Sequence, residues 1–114
     1  MAYQLIVHER YSELRFDLPP GIEEILGLNT LRLTHRRLLL DLSGGINIDI
    51  NRLVELLTAI DKVDIPADII TAILADDNLD YGLSKIYQDY RSSLGGNVQV
   101  FRDKEDAGVW LADF

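Results

Sequence analysis

The chain has 114 residues, 47% of them apolar and 26% charged, a composition that suits one folded domain with its own core rather than a disordered segment. It contains no cysteine, which rules out disulfides, thiolate metal sites and thiol nucleophiles. Its formal net charge of −8 argues against nucleic-acid binding, which needs a basic surface to neutralise phosphate.

The first elements read as a hairpin. Residues 3–8 alternate well enough for a strand, and Leu14, Phe16 and Leu18 alternate with Glu13, Arg15 and Asp17 as a half-buried strand should. Glu9 to Ser12 forms the expected turn between them. Pro19-Pro20-Gly21 stops the second strand. Ile22, Ile25 and Leu26 then suggest a helix, with Glu23 and Glu24 favourable in its first turn. The densest basic stretch, Arg32, His35, Arg36 and Arg37, reads as the end of a helix.

Leu38 to Leu42 is an apolar run broken only by Asp41, the pattern of a strand covered on both faces. Ser43-Gly44-Gly45 ends it. Ile50, Leu53, Val54, Leu57 and Ile60 form a helical stripe, with Asn47 or Asp49 as its cap. Ile69 to Ala75 predicts another buried strand, followed by the turn Asp76-Asp77-Asn78. Leu79, Leu83, Ile86, Tyr87 and Tyr90 mark the next helix. Asp77 and Asp80 are spaced as a capping box, and Gly95-Gly96 is the stop. Asn97 to Asp103 alternates as a last strand. Asp103 then offers an N-cap, and Ala107, Trp110, Leu111 and Phe114 give the closing helix an apolar face.

Strands alternating with helices imply parallel pairing. The expected fold is therefore a single α/β domain over residues 1–114. Its sheet is a single mixed layer, mostly parallel, opened by an antiparallel hairpin and packed with helices. Leu38–Leu42, Ile69–Ala75 and Val98–Phe101 should lie side by side in one orientation. The apolar tracts are too short to span a membrane, and Met1 to Arg10 lacks a basic leader with an apolar stretch behind it. A cytoplasmic location, without a membrane span, is the expectation.

Two stretches carry a family resemblance: Arg37-Leu38-Leu39-Leu40-Asp41-Leu42-Ser43-Gly44, and Val100-Phe101-Arg102-Asp103 followed by Ala107, Trp110 and Leu111. With the element order, they make the chain resemble the STAS-type fold of bacterial anti-sigma-factor antagonists, closest to the SpoIIAA-like group. The resemblance implies a small cytoplasmic domain that acts by binding another protein. It also implies a phosphorylatable serine at the start of the helix after the central strand. The matching segment here is Asp49-Ile50-Asn51-Arg52-Leu53. Ile50 holds the switch position and has no hydroxyl, and Arg52 stands where the family has glycine, so that switch is not expected to operate. Ser43 lies one loop earlier and carries a hydroxyl.

In open α/β sheets ligands favour the carboxyl ends of the parallel strands. That edge should carry Ser43, Gly44 and Gly45, Asp76 to Asn78, and Asp103, with Asp49 nearby. Such carboxylates suit either a magnesium site or helix caps. Capping is favoured, because Asp49, Asp77 and Asp103 each stand where a cap is needed. Gly44-Gly45 lacks the rest of a phosphate-binding fingerprint and reads as a tight turn. His8 and His35 stand beside no obvious nucleophile and fit no metal spacing, so ordinary surface or capping roles are expected. No catalytic residue, metal site or cofactor is expected. Tyr87 and Tyr90 fit the helical stripe. Tyr81 falls off it, and an exposed aromatic there would suit a partner surface.

The expected function is a non-enzymatic regulatory or scaffold role through a protein partner, with a homodimer as a further option. The expected surface comprises Ser43, Gly44, Asp49, Ile50, Asn51, Arg52, Asp77 and Tyr81. The alternative is a small apolar or lipid-like ligand held between helix and sheet.

Overall fold

The structure is a computed structural model that describes residues 3–16, 36–43, 45, 49, 51, 54, 55, 58 and 69–113. Five strands form one sheet: β1 (Tyr3–Val7), β2 (Ser12–Phe16), β3 (Arg37–Asp41), β4 (Ile70–Leu74) and β5 (Asn97–Phe101). They lie side by side in chain order. β1 and β2 are antiparallel, and β2 through β5 run parallel. Among the described residues, two helices pack on the sheet, α1 (Asn78–Ser93) against β5 and α2 (Lys104–Ala112) against β3, β4 and β5. The fold is α/β with a mixed sheet, and the three apolar tracts are adjacent and co-oriented. The expected helix around Ile22 to Leu26 lies outside the described residues. Between β3 and β4, Asn51, Val54, Glu55 and Thr58 are helical.

The parity of the strands sorts the core into two layers, as successive side chains must point to opposite faces. One layer contains Leu14, Leu38, Leu40, Leu42, Ile73, Val98 and Val100, with Phe16, Tyr81 and Tyr87 packed against it. The other contains Leu39, Ala72, Leu74, Ala107 and Leu111, with Tyr11, Ile70, Phe101 and Trp110 at its margin. β3 alternates between the two layers, which is why its apolar run is continuous. β2 differs from expectation. Glu13 is not on a solvent face but is 0% exposed, and Ser12 and Leu14 beside it are also 0% exposed.

Both helix starts are fixed by the expected aspartates. The Asp77 carboxylate accepts from the backbone N–H of Leu79 at 3.0 Å and of Asp80 at 3.2 Å. Asp103 accepts from Glu105 at 2.8 Å and Asp106 at 3.4 Å. Each bond satisfies an amide that the first helical turn leaves without a partner. At the end of α1, Gly95 adopts φ +86°. The Gly96 N–H bonds the Arg91 carbonyl at 2.9 Å, and the Gly95 N–H bonds the Ser92 carbonyl at 3.1 Å. This paired closure needs a left-handed residue, hence glycine.

The buried face of α1 is turned relative to the apolar stripe. Leu83 is buried, but Leu79 is 68% exposed and Ile86 is 42% exposed. Asp80, Ser84 and Arg91 are buried in their place. On this face Arg91 donates to the Tyr87 hydroxyl at 2.9 Å, and the Gln88 side chain accepts from the Val100 N–H at 2.8 Å. On α2, Ala107 and Leu111 are fully buried, and half-buried Trp110 meets Phe101 at a ring-centroid distance of 5.6 Å.

Candidate functional site

Among the described residues, the densest cluster of ionisable side chains sits where β2, β3 and the start of α2 meet. Odd-numbered positions of β2 and β3 point toward the α2 layer, which places Glu13 and Arg15 beside Leu39 and Asp41 in the paired register. Lys104, the first residue of α2, reaches into this group because Asp103 fixes where the helix begins. Its Nζ lies 2.8 Å from Glu13 Oε2 and 3.6 Å from Asp41 Oδ2. Arg15 spans the same two acids, at 3.0 Å from Glu13 Oε2 and 3.8 Å from Asp41 Oδ2.

The remaining Glu13 oxygen, Oε1, accepts from His8 Nε2 at 2.8 Å. The imidazole is oriented in turn by the Tyr11 ring, with centroids 4.6 Å apart. Asp41 is also bound from the loop side, where the Ser43 backbone N–H at 3.1 Å and hydroxyl at 2.5 Å both donate to Oδ1. Two strands, one turn and one helix start therefore converge on two carboxylates.

Burial by itself would raise the pKa of Glu13. Hydrogen bonds from Lys104, His8 and Arg15, with the nearby Lys104 charge, outweigh that and hold the carboxyl below its ordinary range. Glu13 is thus an ionised acceptor already bonded by three donors. It is poorly suited to proton abstraction, because three donors occupy most of its lone pairs and its carboxyl is held below its ordinary range. Its cationic neighbours are similarly engaged with the acids. Among the described residues, no group of three or more histidine or acidic side chains is placed to hold a metal ion.

The residues expected to form a partner surface fall into separate places. Ser43 is exposed at the end of β3 and tied to Asp41. Asp49 and Asn51 are exposed, and Asn51 is helical. Gly44, Ile50 and Arg52 lie outside the described residues. Asp77 is exposed but serves as the α1 cap. Tyr81 is not a free exposed aromatic. It is half-buried against the Leu14 layer, and the Arg102 guanidinium lies 4.2 Å from its ring centroid. That stacking covers the ring with a weakly hydrated cation.

The charge cluster is not apparent from the sequence alone. Glu13 and Arg15 look like the solvent side of a strand, and Lys104 like an ordinary first-turn residue. The available signal was Asp41, a carboxylate inside an apolar run, which must find cations when the run is buried. His8, read as a surface or capping residue, is instead bonded to the buried acid.

No family model, no curated protein and no solved structure matches this chain.

Proposed function

We propose that this chain is a non-enzymatic protein-binding domain. Its contact surface is the helical face after β3, together with the adjoining Ser43 turn. The observation that carries the reading is the exposure of Asn51, Val54, Glu55 and Thr58. Their spacing of three, four and seven residues puts all four on one side of the helix. Val54, at 60% exposure, is an apolar residue standing among polar ones on that face. A contact patch commonly has this form, an apolar centre inside a polar rim. Two further points support the reading. The cations and acids of the Glu13 cluster are spent on one another, and the STAS-type resemblance makes this helix the partner-binding element. With a net charge of −8, the chain favours a partner face that carries lysine and arginine.

The test is site-specific photo-crosslinking in cells. A photoreactive residue at Asn51 should trap a discrete partner, and the same residue at Val109, exposed on α2, should not. Val54→Glu should abolish the Asn51 adduct while leaving the melting temperature unchanged. Identical labelling from Asn51 and Val109 would reject this surface.

A further inference from the structure

The two edges of the sheet are not equivalent. At the β5 edge, the Gln88 side chain from α1 occupies the outward Val100 N–H at 2.8 Å. Such a cover blocks an added strand. At the β1 edge, Tyr3–Val7 pairs, among the described residues, with β2 alone, and its sequence Tyr-Gln-Leu-Ile-Val has neither a charge nor a proline. Natural edges normally carry one of those guards. Leu5 is 39% exposed and Val7 is 54% exposed.

The outward backbone groups follow from the register. Val7 faces Ser12, and the His8 N–H bonds the Tyr11 carbonyl at 2.9 Å, so His8 and Tyr11 form a hydrogen-bonded pair. Antiparallel ladders alternate bonded and non-bonded pairs. Ile6 with Glu13 and Gln4 with Arg15 are therefore the bonded pairs. Tyr3, Leu5 and Val7 turn their N–H and C=O groups away from β2.

The geometry points to a self-association edge: two copies pair through β1, antiparallel, about a two-fold axis at Leu5. In that register Leu5 exchanges both backbone bonds with its counterpart, and Tyr3 exchanges bonds with Val7 of the second copy. A second copy fits because the strand is uncharged, so pairing with itself brings no like charges together. It also fits because the exposed Leu5 would meet its counterpart, with the exposed Val7 of each copy diagonal to it, on one continuous sheet face that leaves water. The blocked β5 edge prevents head-to-tail growth, so the assembly closes as a dimer.

The chain has no cysteine, so a single introduced thiol reports on this contact without interference. In the bonded antiparallel pair, the two Leu5 Cα atoms stand about 5.5 Å apart, within disulfide reach. Under mild oxidation Leu5→Cys should give a covalent dimer at least about tenfold faster than Gln99→Cys, on the covered β5 edge. Sedimentation of the cysteine-free protein should show a monomer–dimer equilibrium between about 10 μM and about 1 mM, the range expected of a small interface. Leu5→Pro removes only an outward N–H and should yield a folded monomer. If it fails to fold, Leu5→Lys serves the same purpose by placing two like charges directly opposite each other on the two-fold axis. Equal cross-linking rates for the two cysteine variants, a wild-type monomer throughout that range, or a folded variant that still dimerises would each overturn the proposal.

Discussion

Replacing Glu13 by glutamine tests the charge cluster most directly. The substitution keeps the side-chain volume but removes the charge, and it turns an amide NH2 toward donors on His8, Arg15 and Lys104. Breaking a buried ion pair by removing one partner costs about 3–5 kcal/mol. Here the side chains left behind are 37% exposed at His8, 48% at Arg15 and 42% at Lys104, so they can turn toward water. That relief puts the expected cost near the lower bound, about 3 kcal/mol. For a domain of this size the melting temperature should fall by about 12 °C, at about 4 °C per kcal/mol.

The pH dependence supplies a second, independent reading. Glu13 is held below its ordinary value of 4.5, so the folded state binds its proton less readily than the unfolded state does. Its stabilisation is fully present above about pH 4.5 and fades as the pH falls through the lower, folded-state value. The gap between the melting temperatures of wild type and Glu13→Gln should therefore be present at neutral pH and narrow as the pH falls below about 4.5. A gap that stays fixed down to about pH 3 would show that the carboxylate charge is not what the cluster stabilises. Equal melting temperatures at neutral pH would refute the buried ion network itself.

Leu111→Ala should cost about 3–4 kcal/mol in urea unfolding, because Leu111 is fully buried among Leu39, Ala72, Leu74 and Ala107. Val109→Ala, two positions away but 56% exposed, should stay within about 0.5 kcal/mol, and equal losses at the two sites would contradict the docking of α2. Gly95→Ala should lose about 1 kcal/mol by thermal melt, since φ +86° is costly for any residue with a Cβ; a neutral or stabilised variant would contradict that closure of α1. Asp77→Ala should lose about 1 kcal/mol through two orphaned amides at the start of α1, seen as a lower midpoint in circular dichroism melts.

The sheet was legible in the sequence because its strands carry the period of their environment. Leu38 to Leu42 is apolar on both faces, and Val98 and Val100 are buried while Asn97 and Gln99 are exposed. The caps were legible because an aspartate before an amphipathic stretch has few other uses. The α1 face was not, because Asp80, Ser84 and Arg91 are buried there, Asp80 and Arg91 with partners of their own, while Leu79 and Ile86 remain in contact with water. Hydropathy registers a polar side chain as outward whether it faces water or a buried partner. The same blindness hid Glu13, whose three partners come from positions 8, 15 and 104. No local spacing brings Lys104 to Glu13; only the layered packing of α2 on the sheet does.

The cluster also explains how β2 holds its place. Apolar contacts alone define the strand weakly, since Leu14 and Phe16 are its only apolar members. A one-residue slip along β3 would turn Leu14 toward Lys104 and move Glu13 and Arg15 into the layer formed by Leu38, Leu40 and Ile73. Glu13 would then lose Lys104 and leave Asp41 with one cation fewer, and a buried carboxylate without its partners costs several kcal/mol. The slip is therefore penalised far more by charge than by lost apolar contact. Because Lys104 reaches both acids only when α2 begins at Asp103, the same ion pairs that fix the β2 register also fix where the closing helix docks. In this reading the buried charges contribute more to choosing one arrangement of strand and helix than to net stability, a role well-packed apolar residues of the same volume would not fill.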